Sequence, residues 1–178
     1  FAKGADSVHI VVEDETTFSL WLGESKFYNS IENARFDKIV DSVNNSISKG
    51  KLKKENSIIT NVSDLNDLPE ISDSLRKDIK SLDRNVSIDE IKPILNIPIL
   101  LLHECGITKA ATHLTNEYIE EIKNYHKDRA TQYFKKQIAK CSGVDKYSEI
   151  KFHIILFPVP EKKKIVDKFT QKANVYRT

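Results

Sequence analysis

Two carboxylates and a lysine near the start of the chain are the residues best suited to chemistry. Asp6 stands in the segment KGADSVHIVVE, and Glu24 and Lys26 stand in LWLGESKFYNS. On a strand, Glu24 and Lys26 share one side, because successive side chains alternate between faces. Asp6 joins them if the two segments pair as a hairpin. With the turn centred on Glu15, opposed residue numbers sum to 30: Val12 faces Phe18, Ile10 faces Leu20, Val8 faces Leu22, and Asp6 faces Glu24. Directly opposed strand residues lie about 4.5–5.5 Å apart at Cβ. The same register lines up Val8, Ile10, Val12, Phe18, Leu20 and Leu22 as one apolar row. A slip of one residue would turn that whole row out of the core, so the pattern itself argues for the register. The expected outcome is two carboxylates and a lysine converging where the core-facing strip meets solvent.

Such a set has a definite chemistry. Asp6, Glu24 and the main-chain carbonyl of Ser25 offer the hard oxygen ligands that Mg²⁺ or Mn²⁺ prefers. A metal held there would lower the pKa of a bound water and offset charge on phosphoryl oxygens. Lys26 would position the attacking water and add positive charge in the transition state. Asp6, Glu24 and Lys26 are therefore the expected catalytic residues. The plain alternative is a surface salt-bridge cluster at a strand end, since a bare D-x17-E-x-K string also arises by chance.

Other reactive residues fit simpler roles. His9 falls on the face opposite Asp6, beside Trp21, and reads as a packing or hydrogen-bonding residue. His103 and Glu104 close an apolar strand and read as a satisfied terminal pair, and His153 reads as a structural strand residue. His113 and His126 are too far apart for an H-E-x-x-H metal helix. Ser25 and Ser30 have no assignable His–acid pair that would make either a nucleophile. Phe27 and Tyr28 suit either core packing or a nucleic-acid groove, and Arg35 and Lys38 read as solvated helix charges within reach of a phosphate. With five glycines and neither G-x-x-x-x-G-K nor G-x-G-x-x-G, the chain has no phosphate-cradling loop, so ATP hydrolysis would have to come from a partner.

The elements that must position these residues follow from periodicity. Strands are expected at Ser7–Glu13 and Phe18–Ser25, joined by DETT. A helix follows, capped by Asn29 or Ser30 and carrying Ile31, Ala34, Ile39, Val40, Val43 and Ile47 on one face, with Gly50 as its stop. A short helix is expected around Ile71–Leu82. The unbroken run Ile97–His103 suggests a strand buried on both faces, and Ile150–Phe157 a second core strand closed by Pro158 and Pro160. Between them a long charged helix is expected from Thr115 to Cys141, and a last helix from Glu161 to Tyr176. This order describes an α/β fold with a mixed β-sheet flanked by helices.

Composition sets the outer bounds. The 178 residues suit one domain with a real core. At 39% hydrophobic and 30% charged, the chain is neither disordered nor membrane-embedded, and no apolar run reaches a span of about 18 residues. No signal-peptide pattern opens it, and Cys105 and Cys141 read as reduced thiols, so a cytoplasmic location is expected. A net charge of +2 gives no bulk attraction to nucleic acid, although Lys49, Lys51, Lys53 and Lys54 cluster, as do Lys162, Lys163 and Lys164. Solvated surface is the simpler reading of either run.

The segments KGADSVHIVV and LWLGESKFYNS resemble the C-terminal domain family of HamA, the nuclease component of the Hachiman anti-phage system. The matching residues are Gly4, Asp6, Glu24, Lys26, Phe27 and Tyr28, and the later LLLHE and HIILFP strands are similar as well. The resemblance implies a PD-(D/E)xK restriction-endonuclease-like core and a Mg²⁺-dependent DNA nuclease. It also implies a superfamily 2 helicase of the HamB type as partner. Nucleases of this kind usually take a further acid from a helix before the first strand. The chain starts at Phe1, so residues 1–178 are expected to be a single nuclease domain lacking that preceding part. A catalytically inactive module of the same fold, binding DNA or a partner, is the main rival. An RNA-directed or restriction-type nuclease is a third reading.

Overall fold

The computed structural model describes residues 6–31, 38–39, 41–43, 45, 71–82, 87–127 and 149–175. Gly4, Arg35, Cys141 and the Lys49–Lys54 cluster lie outside the described residues.

Strands β1 (Ser7–Val12) and β2 (Phe18–Tyr28) pair antiparallel, with Val8 opposite Leu22, Ile10 opposite Leu20 and Val12 opposite Phe18. This is the register that the apolar alternation predicts. Asp14 shapes the turn: its carboxylate accepts from the main-chain N–H and the hydroxyl of both Thr16 and Thr17, at 2.7–2.9 Å. Such side-chain bonds to the following residues are how aspartate nucleates turns. They hold the Asp14 carboxyl down at about 2, the Thr17 hydroxyl contributing most. At the far end Gly23 faces Ser7, and a Cβ there would collide with the Ser7 hydroxyl and reach Pro98 at 3.7 Å.

Strands β3 (Leu95–Glu104) and β4 (Lys151–Val159) extend the sheet in the order β1-β2-β3-β4, β3 parallel to β2 and β4 parallel to β3. The fold is therefore α/β, a four-stranded mixed sheet flanked by helices, as expected. Both inner strands run longer than the sequence suggests: β2 continues three residues past Ser25, and β3 starts two residues before Ile97.

The helical parts supply the cover. Ile39 and Val43, in a helical stretch, enter the main core. Helix α1 (Asp73–Ser81) is capped by the Ser72 hydroxyl and buries Leu75 and Ile79 against Ile10 and Phe18. Helix α2 (Ile88–Ile91) starts with a reciprocal capping box between Ser87 and Glu90, a signal present in the sequence as S-I-D-E. It runs through a 3₁₀ turn (Lys92–Ile94) into β3. Helix α3 (Gly106–Ala110), which the pattern does not announce, leads to α4 (Asn116–His126), and α5 (Lys162–Val175) follows β4. Helix α4 ends at His126, where Lys127 leaves helical geometry with ψ 121°, and the rest of the long helix expected through Cys141 lies outside the described residues.

The core lies on the sheet face that carries Leu20 and Leu22 of β2, Leu95, Ile97, Ile99 and Leu101 of β3, and Phe152, Ile154 and Leu156 of β4. Fully burying each such side chain contributes about 1.5–3 kcal/mol. On the opposite face Trp21 stacks on His153 with ring centroids 4.9 Å apart. Trp21 donates to Ser19, Ser19 donates to Glu13, and His153 meets Asn96 at 2.9 Å. Those bonds satisfy the buried Ser19 and Asn96. His153 is thus a structural strand residue, while His9 is exposed beside Trp21.

Candidate active site

Glu24 and Lys26 both project from β2 onto the core face, in register with Ile99 and Leu101 of β3. The two are ion-paired through Lys26 Nζ and Glu24 Oε1. The burial differs from expectation: Glu24 is only 5% exposed, whereas the Lys26 side chain keeps 31% of its surface in solvent. Glu24 therefore lies inside the apolar strip rather than at its rim. A carboxylate there needs compensation, and besides Lys26 it accepts a 2.6 Å hydrogen bond from Ser42 Oγ. Ser42 comes from the helical stretch whose neighbours Ile39 and Val43 anchor it in the core. Burial pushes the Lys26 ammonium down. The bond and charge of Glu24, with the charges of Asp6 and Tyr28, outweigh that and hold it above its ordinary value.

Asp6 is placed differently. The β1–β2 ladder ends at Ser7 opposite Gly23, and the Asp6 N–H donates to the Gly23 carbonyl at 2.8 Å, one residue short of the position facing Glu24. Asp6 is exposed, and its Oδ2 accepts from both the N–H (2.7 Å) and the hydroxyl (2.8 Å) of Ser25. Side chain has replaced main chain as the β2 partner at this step. Because N–H and C=O of one strand residue leave on the same edge, the Ser25 carbonyl also points toward the edge that Asp6 occupies.

The donor set suits a hard divalent cation. Among the described residues, Asp6 Oδ1 and the buried Glu24 Oε2 have no hydrogen-bond partner, since the recorded bonds use Oδ2 and Oε1. With the Ser25 carbonyl they make three oxygen donors of the kind Mg²⁺ takes, water completing its shell. No group of three or more His, Cys, Asp or Glu side chains is placed to hold a metal among the described residues.

Two neighbouring features escape sequence reasoning. Lys162, at the start of α5, is turned inward: its Nζ donates to the Phe27 carbonyl at 2.6 Å and lies 5.1 Å from the Phe27 ring centre. Its own N–H donates to Glu104. Of the expected basic cluster, Lys164 pairs with Glu161, leaving Lys163 solvated. His103 and Glu104 are both satisfied at the strand end, as expected, but His103, besides meeting the Glu104 carbonyl, meets His126 of α4, ring to ring. No periodicity or motif signals either contact. Lys38 is exposed, and Phe27 and Tyr28 are half-buried.

Among the described residues no helix is long and apolar enough to cross a membrane. Neither a curated protein nor a solved structure matches the chain. The HamA family model matches residues 1–173 of the 178. The chain belongs to the HamA family, and with it to the components of Hachiman anti-phage defence.

Proposed function

We propose that this chain is a metal-dependent DNA nuclease with a PD-(D/E)xK-type site made of Asp6, Glu24, Lys26 and the Ser25 carbonyl. The observation that carries the reading is Glu24: a buried carboxylate held by a lysine two residues on, with one oxygen left without a partner among the described residues. Asp6, Glu24 and the Ser25 carbonyl would hold Mg²⁺ or Mn²⁺, which supplies a more acidic water and charge neutralisation at phosphorus. Ser42 and Lys26 fix the Glu24 carboxylate, and Ser25 fixes that of Asp6. Lys26 keeps its proton, because its neighbours hold it above the ordinary lysine value. Its partly exposed ammonium is therefore available to orient water and to offset charge on a phosphodiester.

The chain carries no phosphate-cradling loop, so access to duplex DNA would come from a superfamily 2 helicase working with it. A rival reading, a binding module with a dead site, draws on the same ion pair, which is satisfied without any metal. Cleavage assays on the full-length protein with its helicase, in Mg²⁺ and in Mn²⁺, separate the two. Metal-dependent cutting by the wild type that folded Lys26→Ala loses supports the nuclease. Equal cutting by both at matched concentration sinks it.

A further inference from the structure

The histidine pair at the end of β3 holds its ring nitrogens in an order that bears on how many protons it carries. His103 Nδ1 lies 3.0 Å from the Glu104 carbonyl oxygen, and His126 Nδ1 lies 2.9 Å from the Ile122 carbonyl oxygen. A carbonyl oxygen only accepts, so both Nδ1 atoms must carry hydrogen. The remaining ring atoms, the two Nε2, face each other at 3.0 Å, an ordinary hydrogen-bond length. Two bare lone pairs would repel at that distance. A third proton, lying between them, makes the contact attractive. Two neutral imidazoles have only two N–H protons, so three means one proton more than the neutral pair.

The contact matters for how α4 is attached. None of the residues of α4 is buried, so little apolar packing holds this helix. Among the described residues its polar ties include His126 to His103 and Tyr118 to Thr108 of α3 at 3.0 Å. His103, in contrast, is 1% exposed on β3.

We propose that His103 and His126 share a single proton, that this proton fastens α4 to the end of β3, and that a second proton releases it. With both Nε2 protonated there is no acceptor left between the rings, and two cations face each other. The charge resists: burial foremost, and then the charge of His126, push His103 down, against the support of the Glu104 carbonyl. Among the described residues, the groups around the pair include Tyr28 and Pro158, which flank His103 in the sheet, and Tyr125, edge-on to His126 at 5.0 Å. The Glu104 carboxylate is engaged by the Lys162 N–H.

The proton count sets the sign of the pH dependence. Stability rises with pH wherever the unfolded chain binds more protons than the folded one. Two free histidines together hold one proton at their ordinary pKa, about 6.5. Below that pH the unfolded pair holds more than one, and above it fewer, while the folded pair holds one. Its contribution to stability therefore peaks near pH ~6.5 and declines on both sides. A neutral pair would give a contribution that only rises with pH, and a doubly charged pair one that only falls.

The test is denaturant unfolding of the intact protein and of the His103→Gln/His126→Gln double variant between about pH 5 and pH 8. A difference curve with a maximum near pH ~6.5 is expected, and a monotonic curve overturns the proposal. Imidazole ¹⁵N spectra of the wild type decide the matter independently, even if the variant does not fold. Both Nδ1 protonated and one proton shared by the two Nε2 atoms at neutral pH is the expected result. One ring with a bare Nδ1 overturns it, as does displacement of the shared proton by one equivalent of added Zn²⁺, which would make the pair a metal site.

Discussion

The two carboxylates of the candidate site live in opposite environments. Glu24 is buried and is held by a charged side chain and a hydroxyl from another element. Asp6 is exposed and is held by the N–H and hydroxyl of a single residue, Ser25, on the adjacent strand. A buried carboxylate that loses its partners has nowhere to go, whereas an exposed one is resolvated by water. One end of the site is thus built into the core and coupled to folding. The other is a surface arrangement whose precision comes from main-chain geometry.

The sharpest way to break the comparison is through activity. In the full-length protein, assayed with the proposed helicase partner, Glu24→Ala and Lys26→Ala should each lower the proposed cleavage by about 10²–10³-fold or more, the scale for losing one transition-state charge contact. His113→Ala, exposed and away from β2, should cut at the wild-type rate. A Lys26→Ala enzyme within a factor of a few of wild type would remove Lys26 from the chemistry.

Positioning residues should separate next. Ser42→Ala removes the hydroxyl on buried Glu24 and is expected to lower activity about 10–100-fold, as loss of an outer partner of a metal ligand does. Ser25→Ala should do less, because the Ser25 N–H still holds Asp6. If Ser25→Ala is the more damaging, the exposed carboxylate is the better-ordered half, and the comparison inverts.

Stability should follow burial. Lys26→Met leaves the Glu24 carboxylate buried with the Ser42 hydroxyl, and should destabilise the fold by about 1–3 kcal/mol in denaturant unfolding. Asp6→Ala should shift it by no more than about 1 kcal/mol, the range of exposed polar contacts. Equal shifts would mean that Glu24 is better solvated than its 5% exposure implies.

The smallest effect is in alkali. The Lys26 ammonium is held above its ordinary value of 10.5, so the folded chain keeps that proton to higher pH than the unfolded chain does. The resulting stability is complete below 10.5 and is lost as pH rises through the folded value. The advantage of wild type over Lys26→Met should therefore be constant up to about pH 10 and shrink above it. An advantage that grows with pH would contradict the sign.

Much of this molecule could be read from local pattern. Alternation from Val8 to Leu22 determined the hairpin register, because one slip exposes a whole row. The D-E-T-T string specified its turn, where Asp14 reaches hydrogens two and three residues ahead. The E-x-K spacing put Glu24 and Lys26 on one face, since strand side chains have a period of two. What tertiary structure alone decided lies between residues far apart in the chain. Ser42 meets Glu24 across 18 positions, His126 meets His103 across 23, and Lys162 meets the Phe27 carbonyl across 135. It also decided where Asp6 sits, because the ladder stops at Ser7 and side-chain bonds to Ser25 take over. The physical reason is the same in each case. Periodicity fixes which face a residue occupies, but which polar group comes to meet it there depends on how the segments between strands pack, and that information is spread over the whole chain.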